Sequence, residues 1–275
     1  MNFKNTIFFS GMTVLTSFLI LNNLTYHSSF AATEYEHKTK WGEKGVAIGQ
    51  FNQITGVAVD SENNIYVSDM TGRSNMIQKF TNNGSFILGF GVFGNGPEFF
   101  TNPTGLAVDS ENNIYVADFG NPTYAIKKFN KDGKFINTFG SFGLGDGEFI
   151  TPGGLGVDKE NNIYATDFGE NNNIQKFDQN GNFIMKFGTY GTGDGQFNNP
   201  IEIAIDSSDT LFITDDKNNR VQVFNSDGGY ITQFGNQGSA SEIIQDPGGI
   251  AVDSSGNVYV GDGIDSDLHV FSPVK

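Results

Sequence analysis

Residues 104–118 read TGLAVDSENNIYVAD, and this phrase decides the fold because it is written five times. It returns as TGVAVDSENNIYVSD at 55–69, GGLGVDKENNIYATD at 153–167, IEIAIDSSDTLFITD at 201–215 and GGIAVDSSGNVYVGD at 248–262. Its first aspartate falls at Asp60, Asp109, Asp158, Asp206 and Asp253, with spacings of 49, 49, 48 and 47. Its second follows nine residues later, at Asp69, Asp118, Asp167, Asp215 and Asp262. A fixed period in the forties means stacked copies of one small supersecondary unit.

Within a unit the signals are those of strands. Thr104 to Val108 is a short apolar run, Ser110 to Asn113 a turn cluster, and Ile114 to Ala117 a β-branched and aromatic run. Ala125 to Phe129 alternates apolar and polar residues, Asn130 to Gly133 reads as a hairpin turn, and Lys134 to Phe139 is a fourth strand closed by Gly140. Four short antiparallel strands per period, with no helical periodicity, predict an all-β chain: a five-bladed β-propeller. The fifth unit stops after its third strand, at Phe271. Residues 35–42, with His37-Lys-Thr-Lys-Trp41-Gly42, match the spacing of the missing fourth strand, so the N-terminal segment is expected to complete the last blade and close the ring.

The residues before that strand are read differently. Lys4, an uncharged apolar run from Ile7 to Leu21, and Ser29-Phe30-Ala31 suggest a signal peptide over 1–31, or an uncleaved N-terminal anchor, followed by the propeller at 32–275. That implies a secreted or cell-surface protein, touching a membrane only through the leader if it is uncleaved. There is no cysteine, so neither disulfides nor thiol chemistry contribute. The net charge is −15, and ten of the twenty aspartates are repeat positions. No basic footprint for nucleic acid exists.

The repeat resembles the NHL family of β-propellers. The resemblance rests on Pro103-x-Gly105-x-Ala-Val-Asp109, Asn113-Ile-Tyr-Val-Ala-Asp118, Ile126-x-x-Phe129, Gly133-x-Phe135 and Phe139-Gly140. It implies that the loops after the second and fourth strands share the usual binding face. Six blades are usual in that family, and this chain has five repeats. An Asn-x-Arg pattern before the third strand survives only as Asn218-Asn219-Arg220.

The loops assigned to that face are acidic, which favours cations or cationic partners. The repeat aspartates Asp69, Asp118, Asp167, Asp215 and Asp262 are expected to cap loop N–H groups. Glu202 replaces the glycine of the other units (Gly56, Gly105, Gly154, Gly249) on the innermost strand. It is a candidate for binding a cation or polar group near the axis, with pairing to Arg220 or Lys217 as the alternative. Phe119 and Phe168 are candidate ligand contacts, with Arg220 and Asp216 beside them. The Gly-rich loops offer weak Ca²⁺ potential at Asp146 and Asp194, so Ca²⁺ is a possible cofactor. Phe99, Phe149 and Phe197 are expected to pack. The function expected is a non-catalytic module binding a protein, peptide or surface glycan. The alternative is a Ca²⁺- or Zn²⁺-dependent propeller hydrolase or lyase.

Overall fold

The structure is a computed structural model, described here for residues 40–70, 74–120, 124–236, 238 and 243–273. The propeller occupies the unit Trp41–Lys275. Its first blade comprises Ile54–Val59, Ile65–Asp69, Ser74–Phe80 and Phe86–Val92; its second Pro103–Val108, Ile114–Asp118, Ala125–Phe129 and Phe135–Phe139. The third runs through Pro152–Val157, Ile163–Asp167, Asn173–Phe177 and Phe183–Phe187, and the fourth through Pro200–Ile205, Leu211–Asp215, Arg220–Phe224 and Tyr230–Phe234. The fifth has Pro247–Val252, Val258–Asp262 and Leu268–Phe271. Each blade is an antiparallel meander in sequence order, so the five-bladed β-propeller expected from the repeat is what forms.

The first hairpin of each blade explains the first repeat aspartate. Asp109 Oδ1 accepts the N–H groups of Glu111 (3.0 Å) and Asn113 (2.8 Å). The turn needs a residue of left-handed backbone at one place, and Asn63, Asn112, Asn161 and Asp209 take it with φ between 60° and 63°, Gly256 with 82°. The same side chains tie neighbouring blades: Asn112, Asn161 and Asp209 accept the N–H groups of Ser61, Ser110 and Lys159 at 3.1, 3.0 and 3.1 Å. Beneath these turns, Lys79, Lys128 and Lys176 pair with Asp60, Asp109 and Asp158 at 3.0, 3.8 and 3.4 Å. They also lie over the rings of Tyr66, Tyr115 and Tyr164.

Aromatic triplets fill the wedges between blades. Phe129, buried, meets Phe90 of the preceding fourth strand at 4.9 Å and Phe100 of the intervening loop at 5.5 Å. Phe177 meets Phe139 and Phe149, and Phe224 meets Phe187 and Phe197, at 5.0–5.7 Å. Each ring removed from water contributes on the order of 1.5–3 kcal/mol. The register corrects one alignment. Phe100, fully buried, is the counterpart of Phe149 and Phe197, because Phe93 bridges Phe100 as Phe142 bridges Phe149. Phe99 is only half-buried; the run Glu98-Phe99-Phe100 holds two candidates and only backbone pairing separates them.

Residues 35–39 of the expected closing strand, and the leader, lie outside the described residues, and Lys40 to Gly42 contain no strand. Trp41 nevertheless stands where a fourth strand's last aromatic stands in the other wedges. Its ring is 4.6 Å from Phe80, as Phe234 is 4.6 Å from Phe271.

Candidate functional site

The loops after the second and fourth strands meet at one end of the inner strands. The second repeat aspartate builds that end. Asp118 Oδ1 accepts the N–H groups of Thr101 and Asn102, both at 2.8 Å. Asp69 does the same for Asn52 and Gln53, and Asp167 for Ile150 and Thr151. Asp215 takes the N–H of Asn198 and Asp262 that of Gln245, each at 2.7 Å. All five are buried. Burial raises the pKa of Asp118, Asp167 and Asp215, with their donors and the Lys127 or Arg220 partners pulling the other way. These carboxylates orient loops and are turned away from solvent.

Arg220 belongs to the same scaffold. Its Nε donates to Asp215 Oδ2 at 2.7 Å, Nη1 to Thr192 O and Gln233 Oε1, and Nη2 to Gly193 O and Gln196 O. A guanidinium has five N–H donors, and all five are engaged within the fold. The sequence placed Arg220 among the ligand contacts; the geometry makes it the clamp of the Gly-rich loop. Asp216, buried, accepts from Asn199 Nδ2 at 2.7 Å and pairs with Lys217, which also reaches Asp246 at 2.9 Å.

Glu202 pairs with neither Arg220 nor Lys217. Its side chain is half-buried on the inner strand of the fourth blade and lies over Gly154 of the third, where an added Cβ would sit 2.5 Å from Oε2. Burial pushes its pKa up to about 7, opposed only by the Ile203 N–H. Phe168 shares that wall, its ring close over Gly153. Phe119 is half-buried, its N–H donating to Asn102 O at 3.2 Å. Asp146 and Asp194 are exposed and stand apart from Glu202: Asp146 pairs with Lys186 on an outer strand at 2.9 Å, and Asp194 bonds Tyr230 on another. The structure does not bring the three into one metal site. Among the described residues the group that could hold a metal is Asp262, Asp267 and His269.

A second feature of this face was legible only in part: Tyr190 stands out in the sequence as a loop aromatic able to stack on a sugar or anchor a peptide, but its counterparts Phe93 and Phe142 do not. Phe93, Phe142 and Tyr190 are 63%, 62% and 67% exposed, each two residues after the glycine that ends a fourth strand or begins its turn. Phe142 ends a two-residue parallel pairing, opposite Phe149, as Tyr190 does opposite Phe197. Each is followed in its loop by an exposed carboxylate: Glu98, Asp146 and Asp194. The signal was there as an aromatic at a constant offset, hidden among 27 phenylalanines. Arg73 and Glu242 lie outside the described residues.

Comparison with known proteins places this architecture. An NHL repeat model matches residues 51–80, 100–129 and 197–224, and a beta-propeller repeat model matches 229–261. No curated protein matches the chain. Among solved structures, a streptogramin B lyase is 16% identical with TM-score 0.56, over 81% of this chain and 69% of that one. Virginiamycin B lyase from Staphylococcus aureus is 16% identical with TM-score 0.57, over 82% and 72%. A protein of unknown function from Bacteroides caccae is 13% identical with TM-score 0.59, over 86% and 80%. At such identities these likenesses show a shared propeller fold alone. Three of the five repeats are matched by the NHL repeat model and the blades form as the repeats require, so the chain carries NHL repeats in a five-bladed β-propeller.

Proposed function

We propose that this propeller is an exported binding module whose loop face takes a basic peptide segment of a protein at the cell surface. One observation carries the reading: exposed aromatics recur with exposed carboxylates in successive loops, as Phe93 with Glu98, Phe142 with Asp146 and Tyr190 with Asp194. Such rings offer apolar area at low entropic cost, and the carboxylates select cationic partners. Of the described lysines on these loops, Lys217 is neutralised by Asp216 and Asp246. Nucleic acid, which needs basic side chains for its phosphates, is a poor match. A stacking surface also suits a glycan, and that is the other outcome of the test.

The test titrates two peptides of equal apolar content, one rich in Lys and Arg, the other in Asp and Glu, and a neutral oligosaccharide. The basic peptide should bind, weaken with salt, and lose about tenfold or more affinity in a Phe142→Ser, Tyr190→Ser double variant. Binding of the oligosaccharide alone would assign a glycan partner instead. Equal or absent binding of all three probes refutes the reading.

A lyase or hydrolase reading has one observation in its favour, the unpaired Glu202 with a pKa near neutrality. Such a pKa suits general acid–base work. The described histidine, His269, stands on the third strand of the fifth blade and not beside it. Metal analysis of the purified protein, with turnover assays on Glu202→Gln, would separate this reading from the first.

A further inference from the structure

The third strand carries a loop-clamping side chain at one fixed position. Gln78 accepts from Gly49 N–H and donates to Gln50 O; Gln175 holds Gly147 and Glu148, and Gln222 holds Gly195 and Gln196, in the same way. Lys127 reaches Gly96 O and Phe99 O. In the fifth blade the position is His269, opposite Val260. Its Nε2 faces two carboxylate oxygens, Asp262 Oδ2 at 3.6 Å and Asp267 Oδ1 at 3.3 Å.

The spacing of these atoms is informative. Zn²⁺ bonds imidazole nitrogen at about 2.0–2.1 Å and carboxylate oxygen at about 2.0–2.2 Å, so neighbouring donors of a tetrahedral site lie about 3.3–3.5 Å apart. The two separations measured at Nε2 bracket that edge length, and the three donor atoms all lie within 4.8 Å of one another. Asp262 is already oriented, because Ile264 and Asp265 donate to Oδ1 at 2.8 and 2.9 Å and Gln245 to Oδ2 at 2.7 Å. Such outer hydrogen bonds are what fix a metal-bound carboxylate. Asp267 is exposed, His269 is half-buried, and both line a groove of about 790 Å³ with Gln233 and Asn236. A fourth position is therefore open to water or to a ligand atom.

We propose that Asp262, Asp267 and His269 form a three-ligand site for a divalent transition ion, Zn²⁺ or its analogue Co²⁺, with the fourth position facing the groove. This site is independent of the loop-face reading. It differs from the other four blades where His269 replaces an amide or lysine and where Asp267 stands in place of Met76, Ala125, Asn173 and Arg220.

The test uses the full chain, metal-stripped, titrated with Zn²⁺ by calorimetry and with Co²⁺ by visible absorption. Wild type should bind one ion per chain, with the intense Co²⁺ bands of four-coordinate geometry. At a hundredfold excess over Kd the melting temperature should rise by about 5–10 °C. His269→Gln restores the residue of three sister blades and should fold; Asp267→Asn alters an exposed ligand and leaves the loop cap intact. Both should lose the bands and the thermal shift. His27 and His37 remain in each variant and control for adventitious binding. No stoichiometric binding in wild type would overturn the proposal and leave His269 with only Asp262 and Asp267 as neighbours there. Binding that persists in His269→Gln would equally overturn it.

Discussion

Replacing Glu202 by Gln tests a carboxylate that has no salt bridge among the described residues and faces the third blade. Its pKa is raised from an ordinary 4.5 to about 7 because burial against the third blade disfavours the charged form. The sign follows from proton counting. Between pH 4.5 and 7 the folded chain holds a proton here that the unfolded chain has released, so stability falls as pH rises through this window. The full effect is present above pH 7 and vanishes below pH 4.5. A difference of about 2.5 in pKa corresponds to at most about 3.4 kcal/mol, at 1.36 kcal/mol per pKa unit. The side chain is half-buried, and water at its open side screens part of this, leaving about 2 kcal/mol. Glutamine keeps the shape and removes the charge, so Glu202→Gln should gain about 2 kcal/mol over wild type at pH 8 and nothing at pH 4. Urea denaturation of both proteins at pH 4, 6 and 8 reads the difference directly, since every other titrating group cancels. In melting temperature the pH 8 gain is about 4–8 °C. Curves that stay parallel across the range would refute the argument and mean that a cation or solvent reaches Glu202.

Three further variants probe the scaffold. Arg220→Ala leaves Asp215 buried without its cation and takes a donor from the carbonyls of Thr192 and Gly193, so it should cost about 3–5 kcal/mol in urea; a loss under about 1 kcal/mol would show that the loop holds itself. Lys176→Val copies the residue at the equivalent position in the fourth blade, Val223, yet strands Asp158 and removes the bond to Ser226 O; it should cost about 2–3 kcal/mol, and a neutral result would deny it a role in joining blades three and four. Gly154→Ala should cost about 2 kcal/mol or more, because its Cβ would fall 2.7 Å from Glu202 Cα and Ile201 O, whereas Gly249→Ala, with open space there, should stay within about 0.5 kcal/mol. Equal costs for the two would mean that something packs against the fifth blade's inner strand.

What the sequence disclosed and what it hid divide along a physical line. Strand count, strand ends and the Asp turns were readable because they depend on neighbours within about ten residues: Asp109 caps a turn two and four residues ahead. Trp41 could be placed because the repeat fixes where a fourth strand ends. Contacts between blades obey no such short range. Arg220 looked available for ligand because its five partners lie five to twenty-eight residues away, in Asp215, Gln233 and the loop Thr192 to Gln196. Glu202 was visible as a break in a column of glycines, but its isolation from Arg220 and Lys217 is a matter of side-chain direction. His269 and Asp267 were both visible in the sequence, but no pair of histidines there offered a zinc site, and the approach of His269 to Asp262 and Asp267 is a matter of side-chain geometry.

The remaining step concerns how the fifth blade meets the first. Successive blades are joined by three kinds of tie. The inner-strand glycine presses on the next backbone, as Gly105 does on Gly153 O; a hydroxyl of the second strand reaches the next inner strand, as Thr166 reaches Ile201 O at 2.9 Å; and a turn amide accepts an N–H, as Asn112 does. The fifth blade carries Gly261 where Thr166 and Thr214 stand, and a Cβ on Gly249 would meet nothing within 4 Å. Across the seam, Ile54, Val57 and Val59 of the first blade are more than half exposed, while their counterparts Pro103, Leu106 and Val108 are covered. The packing unit on the first blade is nonetheless complete, because Trp41 fills the place of Phe90, Phe139, Phe187 and Phe234 and sits over Gly84 as Phe90 sits over Gly133. An aromatic in that place ends a fourth strand at Phe139, Phe187 and Phe234 and lies two residues before the end at Phe90. The outer edge of Leu268–Phe271 has no partner among the described residues. Among the described residues, the inner-strand ties that join the other blades are missing between the fifth blade and the first, and Trp41 supplies the aromatic of the first blade's wedge.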